Sequence, residues 1–153
     1  MFPIGKDLSK ITTHVMYDMY WSPKGFEFDD FFQDPFIVDD KRFINSYNLE
    51  ERISEWVAQI QEWADHYETS HLLVTMGNDF SYQNAEYIFV NLDILVKRTQ
   101  ELYPNIEVVY STPSKYFEER EKEKSSYLTL SGSEFIPYAD DKISYWTGFY
   151  SSW

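Results

Sequence analysis

The stretch "HLLVTMGNDFSYQNAEYIFVNLD", residues 71–93, holds two different periods with a break between them. "HLLVTM" is short and almost continuously apolar, the pattern of a strand covered on both faces. Gly77 and Asn78 punctuate it as a turn. Beyond the turn, Ala85, Ile88, Phe89, Leu92, Leu95 and Val96 recur every three or four residues. That is the stripe of an amphipathic helix, and Pro104 ends it. Asp79 sits in the break, beside Phe80. An Asp there can cap the helix that follows. It can also do chemistry, because ligands of parallel α/β sheets gather at the carboxyl ends of strands.

The same two patterns continue outward. Upstream, Leu49, Ile53, Trp56, Val57, Ile60, Trp63, Ala64 and Tyr67 form a helical stripe. Asn48 with Glu51 resembles a capping box at its start. Downstream, "IEVVYS", residues 106–111, reads as another buried strand, and "TPSKYFEEREKEK" as a charged, solvated helix opening on Thr-Pro. Residues 14–17 read as a short strand running into an aromatic loop that Pro23 and Gly25 break. "FEFDDFFQDPF", residues 26–36, and the segment 127–153 read as acidic or aromatic loops. Strand alternating with helix predicts α/β: parallel strands joined by crossover helices. Roughly three strands make a thin sheet, and buried strands need partners on both edges. The pattern is that of a slice of a larger α/β domain.

A chain of 153 residues suits one domain with a core of its own. Hydrophobic content of 43% and charged content of 25% place it among globular chains rather than disordered ones. Aromatic residues make up 20%, enough to fill a large core or to line a surface that meets sugar rings. The net charge of −13 repels phosphate backbones, and no basic stripe offsets it, so nucleic acid is not an expected partner. Without cysteine there are no disulfides, thiolate metal sites or cysteine nucleophiles. "MFPIGKDLSK" has no apolar run of signal-peptide length, and no segment approaches 18 apolar residues, so no membrane span is expected.

The residues around Asp79 resemble a segment of the family 38 glycoside hydrolases, the α-mannosidases of lysosome, vacuole and Golgi. That segment reads roughly M-G-[small or acidic]-D-F-x-[YF]-x-N-A, against "MGNDFSYQNA" here. In register with it, "VVYSTPSKYF" resembles the family's strand followed by S-T-P-x-x-Y, and "FIPYADDKISYWTGFYSS" resembles its F-F-x-Y-A-D and [YF]-W-[TS]-G motifs. "MYWSPKGFEFDD" is a looser match to an aromatic loop. "VTMGNDF" and "VVYSTP" are most similar to the lysosomal and vacuolar type. By this resemblance the fold is part of a parallel-sheet, (β/α) barrel-like catalytic domain. Residues 1–153 are then a partial N-terminal catalytic domain, incomplete at both ends.

The resemblance implies hydrolysis of terminal α-linked mannose from glycans, by a zinc-dependent retaining mechanism in the lumen of a lysosome or vacuole. Asp79 matches the general acid/base, which protonates the departing glycosidic oxygen and then activates water. Phe80 is expected beside the sugar and to raise the Asp79 pKa by desolvation. Trp146 matches the tryptophan that walls the mannose site, and Tyr20 a tyrosine of the sugar-binding loop. Tyr138, Ala139 and Asp140 match a signature whose implied role is structural. The family's H-x-D pair, its nucleophile motif and its later His have no counterpart here, so no metal ligand is assigned. His14, His66 and His71 lie far apart in sequence and read as scaffold or surface. Zinc, the nucleophile and the remaining partners are expected from the rest of an α-mannosidase polypeptide, and the chain alone is expected to be inactive. The alternative is a non-catalytic remnant, an acidic module that binds sugar or another chain through its aromatic loops.

Overall fold

The computed structural model describes residues 11–29, 33–123, 126–129, 138–139 and 141–146. Parts of the Tyr138-Ala139-Asp140 and Trp146 motifs, Asp140 among them, lie outside these. Helix α1, Leu49–Ala64, turns its stripe inward, burying Ile53, Trp56, Val57 and Ile60. Glu50 and Glu51 in its first turn suit the positive end of the helix dipole. The capping box does not form. Asn48 stands at the N-cap without a side-chain cap bond. Its Oδ1 instead accepts from the Val38 N–H at 2.8 Å and its Nδ2 donates to the Phe36 carbonyl at 2.9 Å. The helix start is thus tied to the preceding loop, whose backbone groups would otherwise lack partners.

Helix α2, Ala85–Leu102, buries Ile88, Leu92 and Leu95 against α1. Asn91 on the same face is buried but satisfied: Oδ1 accepts from the Ile37 N–H at 2.7 Å and Nδ2 donates to the Tyr87 carbonyl at 2.8 Å. Helix α3, Pro113–Lys122, starts where Thr-Pro predicts. Thr112 Oγ1 accepts from the Lys115 N–H at 3.3 Å, and Pro113 opens the first turn without an N–H to satisfy. It buries Tyr116 and is otherwise solvated.

The loop read from "FEFDDFFQDPF" supplies Phe26 and Phe28 to the core, both fully buried, and Ile37 just beyond it joins them. Phe26 meets Trp56 edge to face at 5.6 Å between ring centroids. The Arg52 guanidinium lies 4.1 Å from the Phe26 ring centre and donates to the Gly25 carbonyl, so α1 holds the loop by stacking and by hydrogen bond.

The expected parallel sheet is corrected by this structure. Among the described residues all regular secondary structure is helical, and the only β pairing is a single antiparallel bridge between Ala139 and Tyr145. Residues 14–17, 72–76 and 106–111 form no strand, so neither a parallel sheet nor a barrel-like layer is present among them. A strand exists through its ladder to a neighbour. No backbone hydrogen bond joins 72–76 to 106–111; the two segments instead share the wall of a cavity of about 910 Å³. Leu72, Val74 and Met76 pack on the core cluster, as does Ile106. Their burial satisfies the apolar side chains and leaves the ladder unmade.

Candidate active site

The turn after Met76 is built from unusual backbone. Gly77 has φ +136°, and a Cβ there would come within 3.0 Å of the Tyr82 ring, so glycine is required by conformation and by space. Phe80 and Tyr82 also lie in the left-handed region, at φ +63° and +66°. Tyr82 Oη closes the turn by donating to the Met76 carbonyl at 2.8 Å. The Asp79 N–H donates to Asn78 Oδ1 at 2.7 Å.

Asp79 does not cap the following helix. Asn84 holds the N-cap of α2, and no side chain caps it. The Asp79 carboxylate instead accepts from Tyr20 Oη, 59 residues earlier, with 2.8 Å to Oδ1. This bond is the first cause pushing the Tyr20 phenol above its ordinary 10, since losing the phenolic proton beside a carboxylate would remove the bond and set two negative charges together. Tyr20 is itself stacked on Trp21 at 5.2 Å.

Phe80 does not bury Asp79. Its side chain is 86% exposed and Asp79 is exposed too, so desolvation by Phe80 is corrected to contact with Tyr20. Trp146 enters through a relay of neighbours. Tyr138 Oη donates to Met19 Sδ at 3.3 Å, next to Tyr20, and the Tyr138 ring meets Trp146 edge-on at 6.0 Å. The Trp146 backbone N–H donates to the Tyr138 carbonyl at 2.8 Å. Trp146 is 52% exposed. The structure therefore brings Asp79 and Tyr20 into contact, links Trp146 through Tyr138 to Met19, the neighbour of Tyr20 in sequence, and leaves Phe80 exposed.

Sequence reasoning missed the residues beneath the turn. Ser22 Oγ accepts from the Gly77 N–H at 2.6 Å and donates to Glu27 Oε2 at 3.0 Å. Asn78 Nδ2 donates to Glu27 Oε1 at 3.4 Å. Glu27 is only 8% exposed. Burial pushes its carboxyl above the ordinary 4.5, against the opposing pull of the bonds from Ser22 and Asn78. The available signal was a carboxylate flanked by Phe26 and Phe28 in "GFEFDD", a place where a charge needs a reason.

The histidines do not assemble. His14 stacks on Tyr67, His66 Nδ1 lies 2.9 Å from the Glu62 carbonyl, and His71 contacts Glu123. Among the described residues no group of three His, Cys, Asp or Glu could hold a metal, so these residues do not fit zinc. No described helix is long and apolar enough to cross a membrane.

Residues 4–141 match the glycosyl hydrolases family 38 N-terminal domain. The lysosomal alpha-mannosidase of Cavia porcellus is 35% identical over 143 residues, 92% of this chain. That of Bos taurus is 34% identical over 144 residues, also 92% of the chain. An alpha-mannosidase of Canavalia ensiformis is 36% identical over 135 residues, 87% of the chain. The chain spans 14% of the length of the first two relatives and 13% of the third.

Proposed function

The chain belongs to the family 38 glycosyl hydrolases, and we propose that it supplies the general acid/base and part of the sugar site for hydrolysis of terminal α-linked mannose. The observation that carries this is the Tyr20–Asp79 hydrogen bond, at a turn of constrained backbone inside the matched span. Tyr20 donates to Oδ1 and leaves Oδ2 as the oxygen that carries the transferable proton. In the first step Asp79 gives that proton to the glycosidic oxygen as the bond to the anomeric carbon breaks and a second carboxylate attacks. In the second step the Asp79 carboxylate takes a proton from water, which displaces the enzyme from the sugar with net retention. Two carboxyl groups about 5–5.5 Å apart are needed for this. The nucleophile, and the zinc that grips sugar hydroxyls in such enzymes, are assigned to polypeptide corresponding to the rest of the relatives' length. Trp146, half exposed, offers its ring to the C–H surface of mannose, and the exposed Phe80 beside Asp79 is proposed to meet the sugar as well. Mannose-bearing glycans in a lysosomal or vacuolar lumen are the proposed substrates, the lysosome and the mannosidase activity in keeping with the name of the Cavia porcellus relative.

The test is sugar release by the protein that carries this chain, from α-mannosides of graded leaving-group acidity. Asp79→Asn should slow cleavage of an alkyl mannoside by about 100- to 10,000-fold. A dinitrophenyl mannoside, whose leaving group departs without a proton, should lose far less in kcat/KM, which reads the first step alone. Unchanged cleavage of the alkyl mannoside by Asp79→Asn would sink the assignment.

A further inference from the structure

Glu27 reaches both sides of the Tyr20–Asp79 contact through two relays. On one side lies Ser22, two residues beyond Tyr20. Its hydroxyl has one proton and two geometric acceptors, Glu27 Oε2 at 3.0 Å and the Gly77 carbonyl at 3.4 Å. The nearer acceptor, stronger still when ionised, takes the proton. Ser22 Oγ is then fixed with a lone pair toward the Gly77 N–H at 2.6 Å, and the Ser22 N–H donates back to the Gly77 carbonyl at 3.2 Å. On the other side lies Asn78. Its amide has two ends that could be exchanged by a half-turn. Glu27 Oε1 holds the NH2 end at 3.4 Å, which turns the Oδ1 end toward the Asp79 N–H at 2.7 Å.

We propose that Glu27 is a positioning residue for Asp79, clamping the segment that carries Tyr20 to the turn that carries Asp79 through Ser22 and Asn78. Its catalytic meaning rests on the role proposed above for Asp79; the clamp itself does not. Folding alone gives weak grounds for a carboxylate between two fully buried phenylalanines, since such a group stabilises little when paired and costs stability when not. Glu27 has no path to substrate through the exposed Asp79 except by setting where that carboxylate sits. Two acceptor oxygens at one buried point explain what no neutral apolar residue could do there: orient a hydroxyl and an amide on two separate segments at once.

The experiment uses the 153-residue chain, labelled so that the Asp79 carboxylate carbon is observed by NMR. Tyr20→Phe should shift that signal, because it removes the hydrogen bond. In a Glu27→Ala background most of this shift should be lost, while signals of Ile53 and Trp56 in α1 stay in place. In a Glu27→Gln background part of it should return, because the single carboxamide oxygen can still accept from Ser22 while the Asn78 relay stays cut. A merely structural role for Glu27 would not link its removal to the Tyr20–Asp79 signal while sparing α1. Should Glu27→Ala fail to fold, Ser22→Ala cuts the Gly77 relay and should reduce the same shift. The proposal is overturned if the Tyr20→Phe shift survives intact in Glu27→Ala, or in Ser22→Ala where that variant replaces it. It is also overturned if Tyr20→Phe leaves the Asp79 signal unmoved in the parent chain. The two proposals fail separately. Loss of the shift in Glu27→Ala, together with full alkyl-mannoside cleavage by Asp79→Asn, would keep the clamp and discard the catalytic assignment.

Discussion

Helix α1 closes its backbone hydrogen bonds within its own sixteen residues, whereas the apolar run at residues 72–76 has to find partners elsewhere in the chain. Both contribute to one core. α1 does so with Ile53, Trp56, Val57 and Ile60, and the run with Leu72, Val74 and Met76. The helix residues are nearly inaccessible; the run is half-buried throughout and borders a cavity of about 910 Å³. The difference teaches that side-chain burial and backbone satisfaction are separate requirements. An element that meets both locally forms wherever its sequence places it. An element that meets the second only through a neighbour forms only where the neighbour is hydrogen-bonded to it.

The largest test of that contrast is a matched truncation. Ile53→Ala removes a fully buried side chain and should destabilise the chain by about 3 kcal/mol, the usual range for such a change being about 2–5 kcal/mol. Val74→Ala removes two methyl groups from a half-buried position beside a cavity, and should cost about 1 kcal/mol or less. Urea melts of the two variants against the parent chain measure the gap. Equal losses would break the contrast and show the run to be packed as tightly as the helix.

That contrast also explains how much was legible in the sequence. The spacing of Leu49 to Tyr67 and of Ala85 to Val96 predicts helices because the period is local, and helices form over Leu49–Ala64 and Ala85–Leu102. "HLLVTM" and "IEVVYS" show only that their side chains prefer burial, which Leu72, Val74 and Ile106 obtain without a ladder. Strand pairing depends on a second segment that no local pattern specifies. The candidate site divides in the same way. Asp79 stands out in its turn, and a resemblance singles it out, but Tyr20 Oη as its partner is a contact across 59 residues. Ser22 was invisible because its importance lies in what it touches, and Glu27 showed only as a carboxylate between two phenylalanines, with no sign of its partners. The capping box at Asn48 failed for a related reason: a Val38 N–H and a Phe36 carbonyl, both distant in sequence, claimed its side chain first.

A smaller effect is expected at α3, where the locally closed kind of element stands almost alone. Its burial is confined to Tyr116, so its start depends on Thr112 Oγ1 and Pro113. Thr112→Ala should cost about 1 kcal/mol, felt chiefly as faster amide exchange in the first turn of α3. Exchange that quickens equally in α1 would show that α3 is not an independent unit and would blunt the contrast.

The smallest effect concerns the point where the two kinds of element touch. Glu123, the C-cap of α3, contacts His71 at the head of the apolar run and accepts from the Ser70 hydroxyl at 3.0 Å and the Ser70 N–H at 3.1 Å. The bond from His71 is the first cause holding the Glu123 carboxyl below its ordinary 4.5; desolvation opposes it, and smaller pulls from the two Ser70 bonds add to it. A carboxyl with a depressed folded-state pKa adds stability that is present above the unfolded value of 4.5 and lost as pH falls through the depressed one. The run should therefore be tied to α3 at neutral pH and loosen only in acid. The Ser70 amide proton reports this directly, since its acceptor is the titrating group: its NMR shift should move with a midpoint below 4.5 in the parent chain and stay flat in Glu123→Gln. A midpoint at or above that value would mean the anchor contributes nothing, and that the run at 72–76 keeps its place through Leu72, Val74 and Met76 alone.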